Sequence, residues 1–254
     1  MNAHTESELL ALATRLVEEA ADLIRAIRAK GFETQTKTDS SPVTEADTTA
    51  EAHILRGLRA ATPDIPVVAE EEVAAGLQTA VAPTYWRVDP LDGTREFAAG
   101  RDDFTVNIGL VRDGRAYLGA MSLPAYHQTY WGGVGLGAFR RDSQGEQAIH
   151  VRKAPAEGLS VLASRHHAAD VRLAEYLNGR KVATLGNIGS AVKFVRVAEG
   201  LVDLYPRLGP TMEWDTAAPQ AIVEAAGGQI TLLDGSPLVY GKSGWKNPPF
   251  VCTG

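Results

Sequence analysis

The chain has 254 residues, of which 44% are hydrophobic and 22% are charged. These proportions are close to those of soluble globular proteins and exclude a disordered or fibrous chain. The formal net charge of -6 disfavours nucleic acid as a partner, because nonspecific nucleic-acid binding depends on cationic residues. The chain has neither a basic start followed by an apolar run nor eighteen consecutive uncharged apolar residues. We therefore expect a cytoplasmic protein without an integral membrane segment.

The first part of the chain predicts two helices followed by strands. Apolar residues at helical spacing predict an amphipathic helix over residues 7–30, with Gly31 as its C-terminal cap. Thr44 and Asp47 have the spacing of a capping box at the start of a second helix, which ends near Pro63. Further β-branched runs predict two strands and then an antiparallel meander, at residues 65–69, 85–88, 104–111, 117–123 and 128–131.

From about residue 159 the pattern changes to an alternation of strands and helices. The predicted strands are 159–163, 201–205 and 229–233, and the predicted helices are 168–178, 189–199 and 215–226. We find no internal repeat and no linker long enough to separate independent domains. We therefore expect an α+β half over residues 1–150, with an antiparallel sheet and a metal motif. An α/β half over residues 151–254 would complete the active site within one compact body.

The segment at residues 89–94 (DPLDGT) combines several features of a metal and phosphate site. Asp89 and Asp92 follow an apolar strand, and Gly93 allows a ligand to approach the main chain closely. Free amides at a helix start suit a phosphate oxygen. Oxygen-only ligands favour magnesium or manganese over zinc. An isolated Asp-Gly pair is more often a simple turn, so the neighbouring acidic residues decide between the two interpretations.

Two other acidic positions follow the same pattern. Glu70 comes directly after a probable buried strand, although a triple glutamate is often only a solvated loop. Asp215 stands at the start of the predicted helix at 215–226, where a capping role would also explain it. Together with Asp89 and Asp92, these carboxylates would repel one another by about 4 kcal/mol per close pair at an effective dielectric near 20. Bound cations would offset that repulsion.

No other catalytic pattern competes with this one. Residues 241–243 (GKS) resemble the end of a phosphate-binding loop, but the required glycine is replaced by Ser236 and no apolar strand precedes it. The glycines at residues 132–137 predict a hairpin. Cys252 is the only cysteine, which excludes an intrachain disulfide and a cysteine-based zinc site.

Residues 89–94 together with residues 214–218 (WDTAA) resemble the two signatures of the inositol monophosphatase superfamily of lithium-sensitive phosphatases. Further segments resemble the bacterial 3'(2'),5'-bisphosphate nucleotidases of that superfamily, which serve sulfur metabolism. These segments are residues 41–47 (SPVTEAD), 164–167 (SRHH), 189–194 (GSAVKF) and 204–211 (LYPRLGPT). The resemblance runs from about residue 41 to residue 226. It implies a layered α/β/α/β/α sandwich.

The resemblance also implies a set of metal ligands and catalytic groups. Two or three magnesium ions, or manganese as an alternative, would be bound by the side chains of Glu70, Asp89, Asp92 and Asp215 and by the main-chain carbonyl of Leu91. The amides of Gly93 and Thr94 would hold the phosphate. Water would be the nucleophile, oriented and deprotonated by Thr94, Asp47 and Glu70. One oxygen of Asp47 could cap the helix while the other faces Thr94.

The contacts to the rest of the substrate follow from the same resemblance. They are His167, Ser190, Lys193 and Arg207, which would contact the adenosine or its second phosphate. The family's usual Ser-Arg-Ser-His reads Ser-Arg-His-His here, so either His166 or His167 would reach the substrate. Lys193 could instead extend from a helix surface into solvent.

The expected activity is hydrolysis of adenosine 3',5'-bisphosphate to AMP and phosphate. Inositol monophosphate and fructose 1,6-bisphosphate are alternative substrates, since the metal motif is common to all three activities. A protein of another class, which binds metal or nucleotide without catalysis, is the further alternative. We expect a small phosphorylated nucleotide as the partner and a monomer or homodimer. Peripheral association with the cytoplasmic face of the inner membrane is also compatible with the sequence.

Overall fold

The computed structural model of the protein describes residues 4–37, 42–80, 82–165 and 171–254. Within these ranges the α-helices are α1 (Glu6–Lys30), α2 (Glu45–Ala61), α3 (Glu70–Ala74), α4 (Thr94–Ala98), α5 (Val171–Leu177), α6 (Val192–Ala198) and α7 (Ala217–Ala225). The strands are β1 (Thr34–Thr36), β2 (Pro42–Thr44), β3 (Val67–Ala69), β4 (Thr84–Asp92), β5 (Thr105–Arg112), β6 (Arg115–Leu123), β7 (Gln128–Gly133), β8 (Gly137–Asp142), β9 (Gly145–Ala148), β10 (Leu159–Ser164), β11 (Val182–Ile188), β12 (Leu204–Arg207), β13 (Thr211–Met212), β14 (Gln229–Leu232), β15 (Lys246–Asn247) and β16 (Phe250–Thr253). Short 3₁₀ helices lie at Pro124–Tyr126, Glu213–Asp215 and Ser243–Trp245.

The two long N-terminal helices begin and end where the sequence predicts. Thr5 and Glu8 form a capping box at the start of α1, and Gly31 ends the helix with φ 84. Thr44 and Asp47 form the predicted capping box at the start of α2. Among the described helices, none combines the length and the apolar character needed to cross a bilayer.

Most strands belong to two sheets. The larger sheet has the order β3-β4-β5-β6-β7-β8-β9, and only its β3-β4 pair is parallel. The predicted meander and the predicted hairpin between β7 and β8 are both confirmed. The second sheet has the order β11-β10-β12-β16-β14, with β10 parallel to both of its neighbours and β16 antiparallel to β12 and β14. The sequence order therefore assigns one sheet to the middle of the chain and the other to its C-terminal part.

The helices lie between and outside the sheets in layers. One hydrophobic core joins α1 and α2 to one face of the larger sheet. A second core joins α6 and α7 to the opposite face of that sheet and to the inner face of the five-stranded sheet. The apolar residues of α5 pack against β10 and β12 on the outer face. This order of layers confirms the predicted α/β/α/β/α sandwich.

Several predicted elements differ in length from the observed ones; the strand predicted over 85–88, for example, extends over Thr84–Asp92, and the helix predicted over 215–226 is Ala217–Ala225. The helix predicted over residues 189–199 shortens to α6, because Ser190 has a positive φ of 45 and cannot continue a right-handed helix. The strand predicted over 201–205 begins later, at β12, because the chain turns at Gly200 (φ 72). Residues 168–170 of another predicted helix lie outside the described part of the chain, and the rest forms α5.

A row of glycines crosses the larger sheet beneath α7. Gly109 on β5 pairs with Gly119 on β6, which pairs with Gly132 on β7. A Cβ atom on Gly119 would lie 2.4 Å from the carbonyl oxygen of Ala218, and one on Gly109 would lie 2.6 Å from the Ala218 nitrogen. Both distances are much shorter than van der Waals contact. The glycines therefore allow α7, and the Asp215 segment before it, to lie directly on the sheet.

We expect Gly119→Ala to lower the free energy of unfolding by about 3 kcal/mol, because overpacking costs about 1–3 kcal/mol and the obstacle here is backbone. Gly145→Ala is the matched control, since no atom lies within 4 Å of its Cβ position. Its cost is the positive φ alone, about 1–2 kcal/mol. Urea denaturation measures both variants. Equal losses would show that α7 moves away from the sheet without resistance.

Candidate active site

The segment predicted to bind a metal lies where β4 ends and α4 begins. Asp89 lies opposite Asn107 on β5, and the register shifts between Asp89 and Asp92. Gly93 then turns the chain with φ 96. A Cβ atom at this position would lie 2.8 Å from the Asp103 carbonyl oxygen, so only glycine fits both the conformation and the space. The chain then continues as the short helix α4, whose N-cap residue is Gly93.

Asp47 contacts the starts of two helices at once. Its Oδ2 atom accepts hydrogen bonds from the Thr44 amide and the Thr44 hydroxyl, each at 2.7 Å. Its Oδ1 atom accepts a hydrogen bond from the Thr94 hydroxyl at 2.8 Å. Burial raises the pKa of Asp47 above its ordinary value, while these hydrogen bonds oppose the rise. One oxygen therefore caps α2 and the other holds the first residue of α4.

Glu70 lies directly after β3, at the first position of α3. Because β3 and β4 are parallel neighbours, their carboxyl ends deliver Glu70 and Asp89 to the same edge of the sheet. The Lys37 ammonium donates to Oε1 of Glu70 at 2.9 Å and to Oε1 of Glu71 at 2.7 Å. The predicted placement of a carboxylate at a strand end is confirmed. The glutamates form a helical turn and not a solvated loop.

Asp215 ends the 3₁₀ helix Glu213–Asp215, just before α7. Its Oδ2 atom accepts a hydrogen bond from the Met212 amide at 2.8 Å, so its carboxylate caps the 3₁₀ helix. The capping role considered for the helix at 215–226 is therefore wrong. Thr216, with φ -120 and ψ -27, separates the two helices and is itself the N-cap residue of α7.

Four acidic side chains gather at this edge of the sheet: Glu70, Asp89, Asp92 and Asp215. Burial is the largest influence, and it raises the pKa of Asp89 and of Asp215 well above the ordinary range. The charges of the neighbouring carboxylates raise both values further. Burial also raises the pKa of Glu70 and of Asp92. The ionised forms of these groups are thus unfavourable without a compensating positive charge.

The donor set fits a hard cation, because every side chain offers carboxylate oxygen. Each group at present uses one oxygen on a local partner. The Leu91 amide donates to Asp89 at 3.1 Å, and the Ala191 amide donates to Asp92 at 2.5 Å. Within the described ranges, no three acidic, histidine or cysteine side chains are already arranged to enclose an ion. A cation would offset the mutual repulsion while taking over part of these local contacts.

A cleft of about 460 Å³ opens beside the carboxylates, between the start of α4, the loop before α6 and strand β12. A second cleft of about 380 Å³ borders the first. The residues shared by the two clefts are Glu70, Asp92, Gly93, Thr94 and Asp215. Three of the four carboxylates, Glu70, Asp92 and Asp215, therefore border both clefts, and Asp89 lines the smaller one.

Lys193 and Ser190 line the larger cleft, as predicted for residues that contact the substrate. Lys193 is only 2% exposed. Its ammonium donates to the carbonyl oxygens of Ile188 and Ser190, at 3.0 and 2.5 Å. Burial lowers the pKa of Lys193 to about 7. The alternative in which Lys193 extends into solvent is therefore wrong.

Arg207 also lines the larger cleft, and its guanidinium donates to the Pro210 carbonyl oxygen at 2.6 Å. Its Nε atom is buried, and no hydrogen-bond partner for it is found among the described residues. His166 and His167, of which one was predicted to reach the substrate, lie outside the described residues. The structure thus brings Ser190, Lys193 and Arg207 to one cleft.

Sequence reasoning missed a buried ion pair behind the carboxylates. Arg87 on β4 donates to Oε2 of Glu213, and both side chains are fully buried. Each partner stands two residues before an aspartate of the site, Asp89 in one case and Asp215 in the other. The ion pair therefore joins the two segments that carry these aspartates. The available signal was an arginine inside an otherwise apolar strand.

The rest of this buried cluster satisfies Glu213 from a loop near the C-terminus. The amides of Gly241 and Lys242 donate to its carboxylate at 3.1 and 2.8 Å. The Trp245 ring lies 3.9 Å from the Arg87 guanidinium carbon. Residues 241–243 thus hold an internal carboxylate, which agrees with the prediction that they are not a phosphate-binding loop.

Glu51 is a second residue that sequence reasoning missed. It lies on α2, is 4% exposed and accepts hydrogen bonds from the amides of Glu71 and Glu72, at 2.8 and 2.9 Å. Burial raises its pKa to about 7, and the two amides oppose that rise. Its spacing of four residues from Asp47 was the available signal.

Known proteins resemble this chain over nearly its whole length. The model of the inositol monophosphatase family matches residues 5–249. The chain belongs to the inositol monophosphatase family. The 3'(2'),5'-bisphosphate nucleotidase CysQ of Salmonella typhimurium is 41% identical over 94% of this chain and 97% of its own length. CysQ of Escherichia coli strain K12 is 40% identical over 93% and 96%.

Solved structures of the family show the same fold. CysQ from Bacteroides thetaiotaomicron, a bacterial member of the family, has a TM-score of 0.82 and 30% identity, and the match covers 99% of this chain and 98% of the other. Inositol monophosphatase from Anabaena has a TM-score of 0.76 and 26% identity, over 97% and 90%. The layered sandwich is therefore the architecture of the family.

The buried ion pair leads to a prediction about stability. Glu213→Gln should lower the free energy of unfolding by about 3–5 kcal/mol, because it leaves the buried Arg87 guanidinium without its carboxylate. Arg87→Met should lower it less, because the Lys242 ammonium still contacts the Glu213 carboxylate at 2.8 Å. The double variant should lose at least about 1 kcal/mol less than the sum of the single losses. Urea denaturation of the four proteins measures this coupling. Strictly additive losses would show that the two charges do not support each other.

Proposed function

We propose that the protein is a magnesium-dependent 3'(2'),5'-bisphosphate nucleotidase that hydrolyses adenosine 3',5'-bisphosphate to AMP and phosphate. The observation that carries the proposal is the group of carboxylates next to Thr94: Asp89 is buried, and the half-buried Glu70, Asp92 and Asp215 line a cleft of about 460 Å³. This volume lies within the range of small-molecule sites, about 300–1,000 Å³. Relatives that are named bisphosphate nucleotidases, at about 40% identity over nearly the whole chain, support the choice of substrate.

The cation would be held by oxygen atoms at the edge of the larger sheet. The proposed ligands are the side chains of Glu70, Asp89, Asp92 and Asp215 and the main-chain carbonyl of Leu91. Two or three magnesium ions bound there supply Lewis-acid stabilisation of charge on the phosphoryl oxygens. The use of a carbonyl explains why position 91 is apolar, since the leucine side chain is 1% exposed and packs in the core.

Thr94 and Asp47 are suited to remove a proton from an attacking water. The Thr94 hydroxyl donates to Oδ1 of Asp47, so its oxygen can accept a hydrogen bond from that water. As the water loses its proton to Oγ1 of Thr94, Thr94 passes its own proton to Asp47. The raised pKa of Asp47 favours its acceptance of the proton. Glu70 would orient the water from the other side.

The phosphate and the nucleotide would lie in the larger cleft. The amides of Gly93 and Thr94, at the start of α4, would donate to phosphate oxygens. Asp92, Ser190 and Arg207 line the same cleft, and the guanidinium suits a second phosphate group. The Lys193 ammonium donates to the Ile188 and Ser190 carbonyl oxygens in the loop before α6. From this position it would contribute positive charge to the cleft. His167 completes the set of proposed contacts.

The substrate is tested by comparing kcat/KM for phosphate release from adenosine 3',5'-bisphosphate, inositol monophosphate and fructose 1,6-bisphosphate. We expect the highest value for the nucleotide, and loss of activity after removal of magnesium with EDTA. Asp89→Asn should also abolish turnover, because it removes one buried charge with little change of shape. A higher kcat/KM for inositol monophosphate or for fructose 1,6-bisphosphate would contradict the nucleotidase assignment. Binding of magnesium and nucleotide without phosphate release would support the non-catalytic alternative.

The proton route is tested at Thr94. Thr94→Ala should lower kcat at least about 100-fold, the usual contribution of a positioned acid-base group. Thr94→Ser keeps the hydroxyl and is the matched control, so it should retain most of the activity. Thermal melting of the variants checks that the fold is unchanged. An alanine variant with the kcat of the wild type would remove Thr94 from the mechanism.

A further inference from the structure

Two buried acidic residues lie one turn apart on α2. Asp47 is 1% exposed and Glu51 is 4% exposed, and residues four apart lie on the same face of a helix. Asp47 contacts the first residue of α4 through the Thr94 hydroxyl. Glu51 contacts the first turn of α3. One face of α2 thus reaches the starts of both short helices that border the site.

The contact of Glu51 replaces a cap that α3 lacks. The first amides of a helix have no partner inside the helix and need one from elsewhere. The N-cap residue Ala69 has no side chain that could provide it. The two carboxylate oxygens of Glu51 each accept from one of these amides, those of Glu71 and Glu72, at 2.8 and 2.9 Å. A residue from another helix therefore fixes the first turn of α3.

We propose that Glu51 is a positioning residue for Glu70. By accepting hydrogen bonds from the amides of Glu71 and Glu72, Glu51 keeps the Glu70 side chain directed toward the other carboxylates of the site. The proposal depends on the proposed function, because it takes Glu70 as a cation ligand. Glu70 needs such support, since it stands at the junction of a three-residue strand and a five-residue helix. Neither element is long enough to fix its own end.

The clamp also explains why position 51 carries an acid. A glutamine has the same shape, but its amide group would place an N–H donor against one of the two backbone donors. A glutamate side chain offers an acceptor oxygen to each of the two amides without placing an N–H donor against them. Outer partners of metal ligands typically change metal affinity by about 10–100-fold when they are removed. Glu51→Gln should therefore weaken cation binding although Glu51 is not a ligand.

The experiment measures binding of Mn²⁺ to the substrate-free protein by electron paramagnetic resonance, and amide hydrogen exchange of α3 by NMR. The proteins are the wild type, Glu51→Gln, Glu51→Ala and the control Leu55→Ala. Leu55 lies on the same helix, is 6% exposed and belongs to the core, so its variant loses stability without losing the clamp.

We expect Glu51→Gln to weaken Mn²⁺ binding about 10-fold and Glu51→Ala to weaken it more. The amides of Glu71 and Glu72 should exchange their hydrogens faster in both Glu51 variants than in Leu55→Ala, when the proteins are compared under conditions that give them the same free energy of unfolding. The control should keep an Mn²⁺ affinity close to that of the wild type. Unchanged Mn²⁺ affinity in both Glu51 variants, or an equal loss in the control, would overturn the positioning role.

The experiments distinguish failure of the proposed function from failure of the positioning role of Glu51. A wild type that binds Mn²⁺ but releases no phosphate from any of the three substrates contradicts the proposed function and leaves the clamp standing on its binding and exchange data. A wild type that is active, with Glu51 variants that bind Mn²⁺ normally, contradicts the clamp alone.

Discussion

The geometry of the site depends on one buried ion pair, that of Arg87 and Glu213. It joins strand β4 of the larger sheet to the short 3₁₀ helix before α7, although the two residues are more than one hundred positions apart in the sequence. Removal of two charges from water is unfavourable, and further donors satisfy Glu213, whereas Nε and Nη1 of Arg87 have no hydrogen-bond partner among the described residues. Glu213 accepts hydrogen bonds from two backbone amides. The Arg87 guanidinium makes cation-π contacts with the rings of Tyr85 and Trp245. The pair therefore links the segments of Asp89 and Asp215, each of which follows one partner by two residues.

The acidic edge has an energetic character opposite to that of the ion pair behind it. Behind the edge a carboxylate has cationic partners, whereas at the edge like charges are gathered in a partly buried group, so that burial and mutual repulsion raise their pKa values. Cations bound there, as proposed, would offset that repulsion.

Helices and strands with strong local sequence patterns were predicted correctly. The structure shows why strands β11 and β16 were not predicted. The helices α1 and α2 have caps and amphipathic spacing, and the meander has alternating β-branched runs, so these were predicted. Strand β16 has only four residues and follows a Pro-Pro pair, and β11 is exposed along most of its length, so neither shows a long alternating or apolar pattern. The contact of Asp47 with Thr94 was expected from a resemblance. The Glu51 clamp and the ion pair are long-range contacts between residues of ordinary appearance, which only the fold brings together.

The position of the carboxylates beside two clefts bears on the order of ligand binding. Five residues of the site border both spaces, so solvent reaches the acidic edge by two routes. If the larger cleft takes the nucleotide, as proposed, the smaller cleft would give ions a separate approach to Glu70, Asp92 and Asp215. Entry of the metal would then not require departure of the nucleotide.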